Sequence, residues 1–245
     1  MAGARQWARL ACVKRDLRLD ITLKCGQSFR WRRLEDGAGA EGLECGAGAD
    51  CPVYAGVLEG RLLLLAQTES HLLYNCVAGS AAGLEPVLRD YFQLAVDLPA
   101  LYLQWAQQDP IFERISQSYP GVRMLRQTPT ENLFSFICSA NNNISRISGM
   151  VERLCTEFGP LVGEFQSVPY HAFPGLERLA EPAVEPRLRE LGFGYRAKYI
   201  QQAAEQILAR GGLAWLLSHR TMDYSTAKQS LTQLSGVGPK VTYII

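Results

Sequence analysis

Near Leu84 the apolar residues of this chain change period, and that change decides what it can fold into. Upstream, Leu17 to Leu23 alternates with period two, Ser28 to Trp31 follows a turn at Gly26, Tyr54 to Leu58 and Arg61 to Ala66 flank Glu59-Gly60, and His71 to Val77 closes the series. Short apolar runs between turn residues predict the strands of a small antiparallel sheet. Downstream the spacing becomes i, i+3, i+4 across Leu84 to Phe92, Pro99 to Gln107, Pro110 to Tyr119, Pro129 to Ala140, Ile144 to Phe158, Leu176 to Ala180, Glu185 to Leu191, Ala197 to Ala209, Gly212 to His219 and Ser225 to Leu234. Proline and glycine punctuate these segments as helix boundaries do. Strands followed by helices are an α+β arrangement. The reading is an antiparallel sheet domain with flanking helices over 1–118 and a helical domain over 119–245. Residues 37–49, Gly/Ala-rich with scattered acids, are too poor in apolar bulk to pack and read as a flexible loop.

With 245 residues, 47% apolar and 20% charged, the composition is that of a soluble globular protein able to bury a core. The net charge of +1 excludes a global basic field, so any nucleic-acid binding has to be local. Seven cysteines without a C-x-x-C pair argue for a reducing compartment, against a disulfide scaffold and against a zinc ribbon. Cys45 and Cys51 could pair if oxidised but read as exposed thiols in the flexible loop. No apolar run is long enough for a membrane span. Residues 1–15 carry Arg5, Arg9, Lys14 and Arg15 without an acid, a faint likeness to a mitochondrial presequence that the lack of serine argues against.

The end of the chain, Leu234-Ser235-Gly236-Val237-Gly238-Pro239-Lys240, carries the chemistry. Two glycines are free to take positive φ and let a ligand approach the backbone, and Pro239 pre-sets the first turn of a helix. Entered from one helix and left through another, Gly236, Val237 and Gly238 form a hairpin whose outward amides grip a DNA phosphate without reading bases. Lys240 lies just inside the second helix, where the dipole disfavours a further positive charge and lowers its pKa. A partly neutral lysine is an amine nucleophile able to form a Schiff base; a plain phosphate contact is the alternative.

Two further segments suit nucleic acid. Asn141-Asn142-Asn143 interrupts two helices, and side-chain amides offer a donor and an acceptor to base edges, although asparagine also serves simply as a helix cap. Gly192-Phe193-Gly194-Tyr195-Arg196-Ala197-Lys198-Tyr199 interleaves aromatics with cations, as stacking on an unpaired base requires, or is a solvated helix start with Tyr199 in the core.

Gly26-Gln27-Ser28-Phe29-Arg30-Trp31, the run from Phe134 to Ile147, Gly194 to Tyr199, and the Leu234-to-Lys240 hairpin occur together in one order. In this the chain resembles the eukaryotic 8-oxoguanine DNA glycosylases of the helix-hairpin-helix superfamily. The resemblance implies a sheet domain like a TATA-binding-protein repeat followed by a helical glycosylase domain. It implies excision of 8-oxoguanine opposite cytosine in base-excision repair, with Lys240 attacking C1′, expelling the base and holding the sugar as a Schiff base from which β-elimination nicks the strand. Lesion recognition would fall to Gly26, whose carbonyl accepts from the N7–H of 8-oxoguanine and would meet a lone pair on guanine. Asn141, Arg146 and Arg196 match residues that hold the estranged cytosine, and Tyr195 matches the wedge beside it. Neither metal nor organic cofactor is implied. The implied partner is double-stranded DNA containing oxidised guanine, met by a monomer away from membranes, in the nucleus or in a mitochondrial form.

After Lys240 the family continues a long helix with a cysteine and an aspartate, whereas this chain has Val241-Thr242-Tyr243-Ile244-Ile245. The expectation is therefore a C-terminally truncated member, a fragment or a splice form. The alternative function is a catalytically impaired form that binds damaged DNA.

Overall fold

The computed structural model describes residues 6–35 and 51–242. Within it, 1–126 with 162–170 form one unit and 127–161 with 171–245 a second.

The first unit is built on five antiparallel strands, β1 (Ala8–Ala11), β2 (Arg32–Arg33), β3 (Tyr54–Leu58), β4 (Arg61–Gln67) and β5 (His71–Ala78), ordered β1-β5-β4-β3-β2. The β3–β4 hairpin turns on Glu59 and Gly60, with φ of 48° and 70°, the positive pair that a two-residue turn demands. Leu62 to Leu65 are fully buried on both faces of the central strand. Helix α1 (Leu19–Thr22) and helix α2 (Leu84–Tyr91) cover one face, where Leu10, Leu17, Leu19, Leu63, Leu65, Leu72, Leu84, Leu88 and Phe92 form a single cluster. Helices α3 (Leu98–Gln108) and α4 (Pro110–Ser118) follow as a hairpin.

Three expectations for this unit fail. Leu17 to Leu23 is a turn and the short helix α1, not a strand. Its apolar set also satisfies i, i+3, i+4 through Leu19, Thr22 and Leu23, and over seven residues the two periods are not separable. The choice is made by the buried Gln67, which donates to the Leu17 carbonyl at 2.6 Å and accepts from the Leu19 N–H at 2.9 Å. Ser28 to Trp31 is irregular, and the strand comes only afterwards, at β2. Cys51 is disulfide-bonded, so it is not a free thiol, while Cys45 and residues 37–49 lie outside the described residues.

The second unit contains α5 (Pro129–Cys138), α6 (Ile144–Phe158), α7 (Leu176–Leu179), α8 (Val184–Glu190), α9 (Arg196–Ala209), α10 (Gly212–Ser218), α11 (Tyr224–Leu231) and α12 (Pro239–Thr242). In sequence between α6 and α7 runs an unforeseen hairpin, β6 (Leu161–Phe165) with β7 (Val168–His171), whose residues 162–170 belong to the first unit. The core gathers Leu133, Phe134, Ile137, Met150, Val151, Leu154, Leu188, Ile200, Ala203, Ala204 and Ile207, all essentially inaccessible. The architecture is α+β, a sheet followed by a helical body. No helix among the described residues is long and apolar enough to cross a membrane.

Candidate nucleic-acid site and nucleophile

The C-terminal turn of α5 is the meeting point of the second unit. Pro129 at its first position and Glu131 in its first turn start the helix in the way the peptide geometry and dipole favour. It stops at Ser139, and the chain then reverses through Asn141, whose φ of 46° asparagine tolerates better than most residues. Asn142 donates to the Cys138 carbonyl at 3.0 Å. Asn143 caps α6, accepting from the Arg146 N–H at 2.9 Å. Of the three amides, two build the turn and only Asn141 is left at its exposed tip, beside the exposed Arg146 on the first turn of α6.

Arg196 and Tyr195 reach the same turn from the start of α9. The buried Arg196 guanidinium donates through Nη2 to the Ala140 carbonyl and, at 3.4 Å, to that of Asn141, and it lies 4.6 Å over the Tyr195 ring. Its Nε is buried with no hydrogen-bond partner among the described residues. Half-exposed Tyr195 packs edge-on against Tyr199, with ring centroids 5.7 Å apart. Sequence reading made Arg196 a base contact alone. The structure gives it a second role, holding the turn that carries Asn141.

The hairpin comes to this turn from the other side. Gly236 has φ of 77°, and a Cβ there would sit 2.7 Å from Cβ of Tyr199, so the turn lies directly on α9. Gly238 is not in the positive-φ region, contrary to expectation. It starts α12, its carbonyl accepting from Val241 and Thr242, and a Cβ there would meet nothing within 4 Å. Gln206 fixes the hairpin from α9, accepting from the Ser235 N–H at 2.9 Å and donating to Ser235 Oγ at 3.1 Å. Lys240, the second residue of α12, is exposed and donates to Ser139 Oγ at 3.3 Å.

Sequence reading missed Gln206, though a signal existed. It shares a stripe with Tyr199 and Ala203, and a polar residue on a half-buried stripe has to find a partner. The buried His219 was missed too. Nδ1 is 2.8 Å from the Trp215 carbonyl, so it carries a proton, and Nε2 is 2.9 Å from Ser230 Oγ, tying the end of α10 to α11.

The hairpin's first helix is started by Asp223, whose carboxylate accepts from Ser225 Oγ at 2.6 Å and the Thr226 N–H at 3.1 Å. These bonds to the charged form hold its pKa well below the ordinary carboxylate value. A depressed folded-state pKa stabilises the fold above the unfolded value of about 3.9 and ceases to do so as pH falls through the depressed one. Asp223→Ala should therefore lower the melting temperature at neutral pH. The gap between parent and variant should close on acidification below about pH 4, as thermal melts at a series of pH values would show.

Gly26, in the first unit, has φ of 83° and leads into Gln27, which donates to the Arg123 carbonyl at 2.8 Å and accepts from the Leu125 N–H at 2.9 Å. Trp31 lies against Gly56 and donates to the Tyr91 hydroxyl at 2.9 Å, so it is structural. The segment after Gly26 is thus fastened by side-chain bonds in place of strand pairing.

Residues 9–133 match the model of the 8-oxoguanine DNA glycosylase N-terminal domain, and 134–242 that of the HhH-GPD superfamily of base excision DNA repair proteins. The chain belongs to the 8-oxoguanine DNA glycosylase family. It is 37% identical over 252 residues to the N-glycosylase/DNA lyase of Saccharomyces cerevisiae, covering 96% of this chain. It spans only 64% of that relative's length. Among solved structures of the family's fold, MBOgg1 in complex with a low affinity DNA ligand superposes with a TM-score of 0.81 at 29% identity, over 99% of this chain and 75% of that one. The Clostridium acetobutylicum 8-oxoguanine glycosylase/lyase, in complex with dsDNA containing cytosine opposite 8-oxoG, superposes with 0.76 at 27% identity, over 93% and 71%.

Proposed function

We propose that this chain excises 8-oxoguanine opposite cytosine from double-stranded DNA through a Schiff base on Lys240, with β-elimination at the resulting site, as a monomer in base-excision repair. The observation that carries the proposal is the convergence of Lys240, Arg196, Tyr195 and Asn141 on the turn after α5. An amine, a guanidinium, an aromatic edge and an amide at one reversal of chain are what a flipped nucleotide and its orphaned partner require.

Each group has a task set by its chemistry. In the Gly236-to-Gly238 turn the amides of Gly236 and Gly238 take a phosphate and fix the strand, while the Val237 N–H is spent on the Leu234 carbonyl at 3.1 Å. Arg196 spends Nη2 on the turn and keeps Nη1 for the cytosine, with Arg146 and Asn141 alongside it. Tyr195 fills the space the lesion vacates, offsetting part of the unstacking cost of a few kcal/mol. The Gly26 carbonyl accepts from N7–H, a donor that guanine lacks.

The test is borohydride trapping on duplexes carrying 8-oxoguanine opposite cytosine, 8-oxoguanine opposite adenine, and guanine opposite cytosine. A covalent adduct with the first, well above the other two, is the expected result. Lesion-selective binding without an adduct would replace this reading with that of a damaged-DNA binding protein, and equal binding to all three duplexes would overturn both.

A further inference from the structure

We propose that Ser139 is a positioning residue for the Lys240 amine, its hydroxyl setting the direction in which the nitrogen lone pair points; this rests on Lys240 being the nucleophile. Ser139 is buried, 4% exposed, where α5 stops. Its hydroxyl donates to the Phe136 carbonyl at 2.7 Å, so its one proton is committed and only lone pairs face outward. Lys240 Nζ stands 3.3 Å from that oxygen, and among the described residues the amine has no other hydrogen bond or ion pair.

The consequence follows from valence. A neutral amine has two N–H bonds and one lone pair, and donating one N–H to a fixed acceptor turns the lone pair away from it. Without Ser139 the flexible lysine stem samples several directions at its end. An ammonium gains more from the same acceptor than a neutral amine does, because a charge-assisted bond is about twice as strong as a neutral one. Ser139 therefore aims the amine in either state. The titratable and charged groups on the elements packed against α12 are Glu131 and Cys138 of α5 and Tyr224 and Lys228 of α11. Burial pushes the Cys138 thiol up to about 12, so it brings no charge to this turn near neutrality.

The experiment is single-turnover borohydride trapping against pH for the parent, Ser139→Ala and Ser139→Thr, with duplex affinity and thermal unfolding measured on each. For Ser139→Ala the plateau should fall about tenfold, roughly the loss from a fraction of an ångström of misplacement. Duplex affinity should hold within about twofold, and threonine should restore the plateau. An unchanged plateau would overturn the proposal. So would a fall in plateau accompanied by an equal fall in duplex affinity, because that is what a purely structural serine would give. Should the parent form no adduct, the Lys240 reading itself fails. The Ser139 contact is then read from the nitrogen-15 chemical shift of Lys240 Nζ in the free chain, where a changed shift in Ser139→Ala supports the contact and an unchanged one overturns it.

Discussion

Lys240→Gln should abolish the covalent adduct on an 8-oxoguanine duplex and slow excision by at least about a thousandfold. Glutamine keeps much of the length and polarity of lysine, but its nitrogen lone pair is delocalised into the amide and does not attack carbon. Duplex affinity should fall only modestly, with the salt dependence losing about one phosphate's worth of slope, because the hairpin amides do not depend on this side chain. Trapping with reductant, read by mass of the conjugate, checks both statements. An adduct that survives in Lys240→Gln would show that another amine is the nucleophile, and Lys198, two residues into α9 from Arg196, would be the next to replace.

The second large effect separates the two hairpin glycines. Gly236→Ala places a Cβ 2.7 Å from Cβ of Tyr199 in a backbone at φ of 77°. Left-handed backbone costs a non-glycine residue about 1–2 kcal/mol, and overpacking against the body of α9 adds about 1–3 kcal/mol. The variant should lose stability in denaturant titrations by about 2–5 kcal/mol and lose DNA binding with it. Gly238→Ala meets open space at an ordinary φ, so its folding cost should stay under about 1 kcal/mol, that of a poorer helix-start residue. It should nevertheless weaken duplex binding, because the methyl group stands where a phosphate has to reach the turn's amides. Equal effects of the two substitutions on folding would mean that the turn does not rest on α9.

Much of this was legible in the chain because the signals were local. The β3–β4 hairpin announced itself through apolar runs on either side of Glu59-Gly60, and α6 matched its expected bounds because Asn143 caps it and Gly159 ends it. Leu17 to Leu23 was misread because seven residues satisfy both periods, and the arbiter, Gln67, lies about fifty residues away. The β6–β7 hairpin was missed because Gln166 and Ser167, both at positive φ, form a turn without glycine, proline or asparagine. At the site, the residue types and their motifs could be read directly. The contacts that aim them could not: Lys240 to Ser139 spans 101 positions and Arg196 to Ala140 spans 56, and neither leaves a periodic trace.

Helix α9 has a consequence of its own. Its 14 residues span about 21 Å. At its start Tyr195 and Arg196 hold the asparagine turn, one turn later Tyr199 carries Gly236, and further along Gln206 clasps Ser235. On the proposed function, backbone grip and base reading are thus hung from a single rod, as two jaws share one caliper. Their spacing is set by helical rise, and no loop between them is free to adjust it. A bulkier side chain at Ala203 or Ala204, both fully buried, would shift the rod sideways and move both jaws at once. Affinity for the strand and choice of opposing base should therefore change together under such substitutions, and retuning one alone would have to come from the exposed Arg146 on α6, which the rod does not hold.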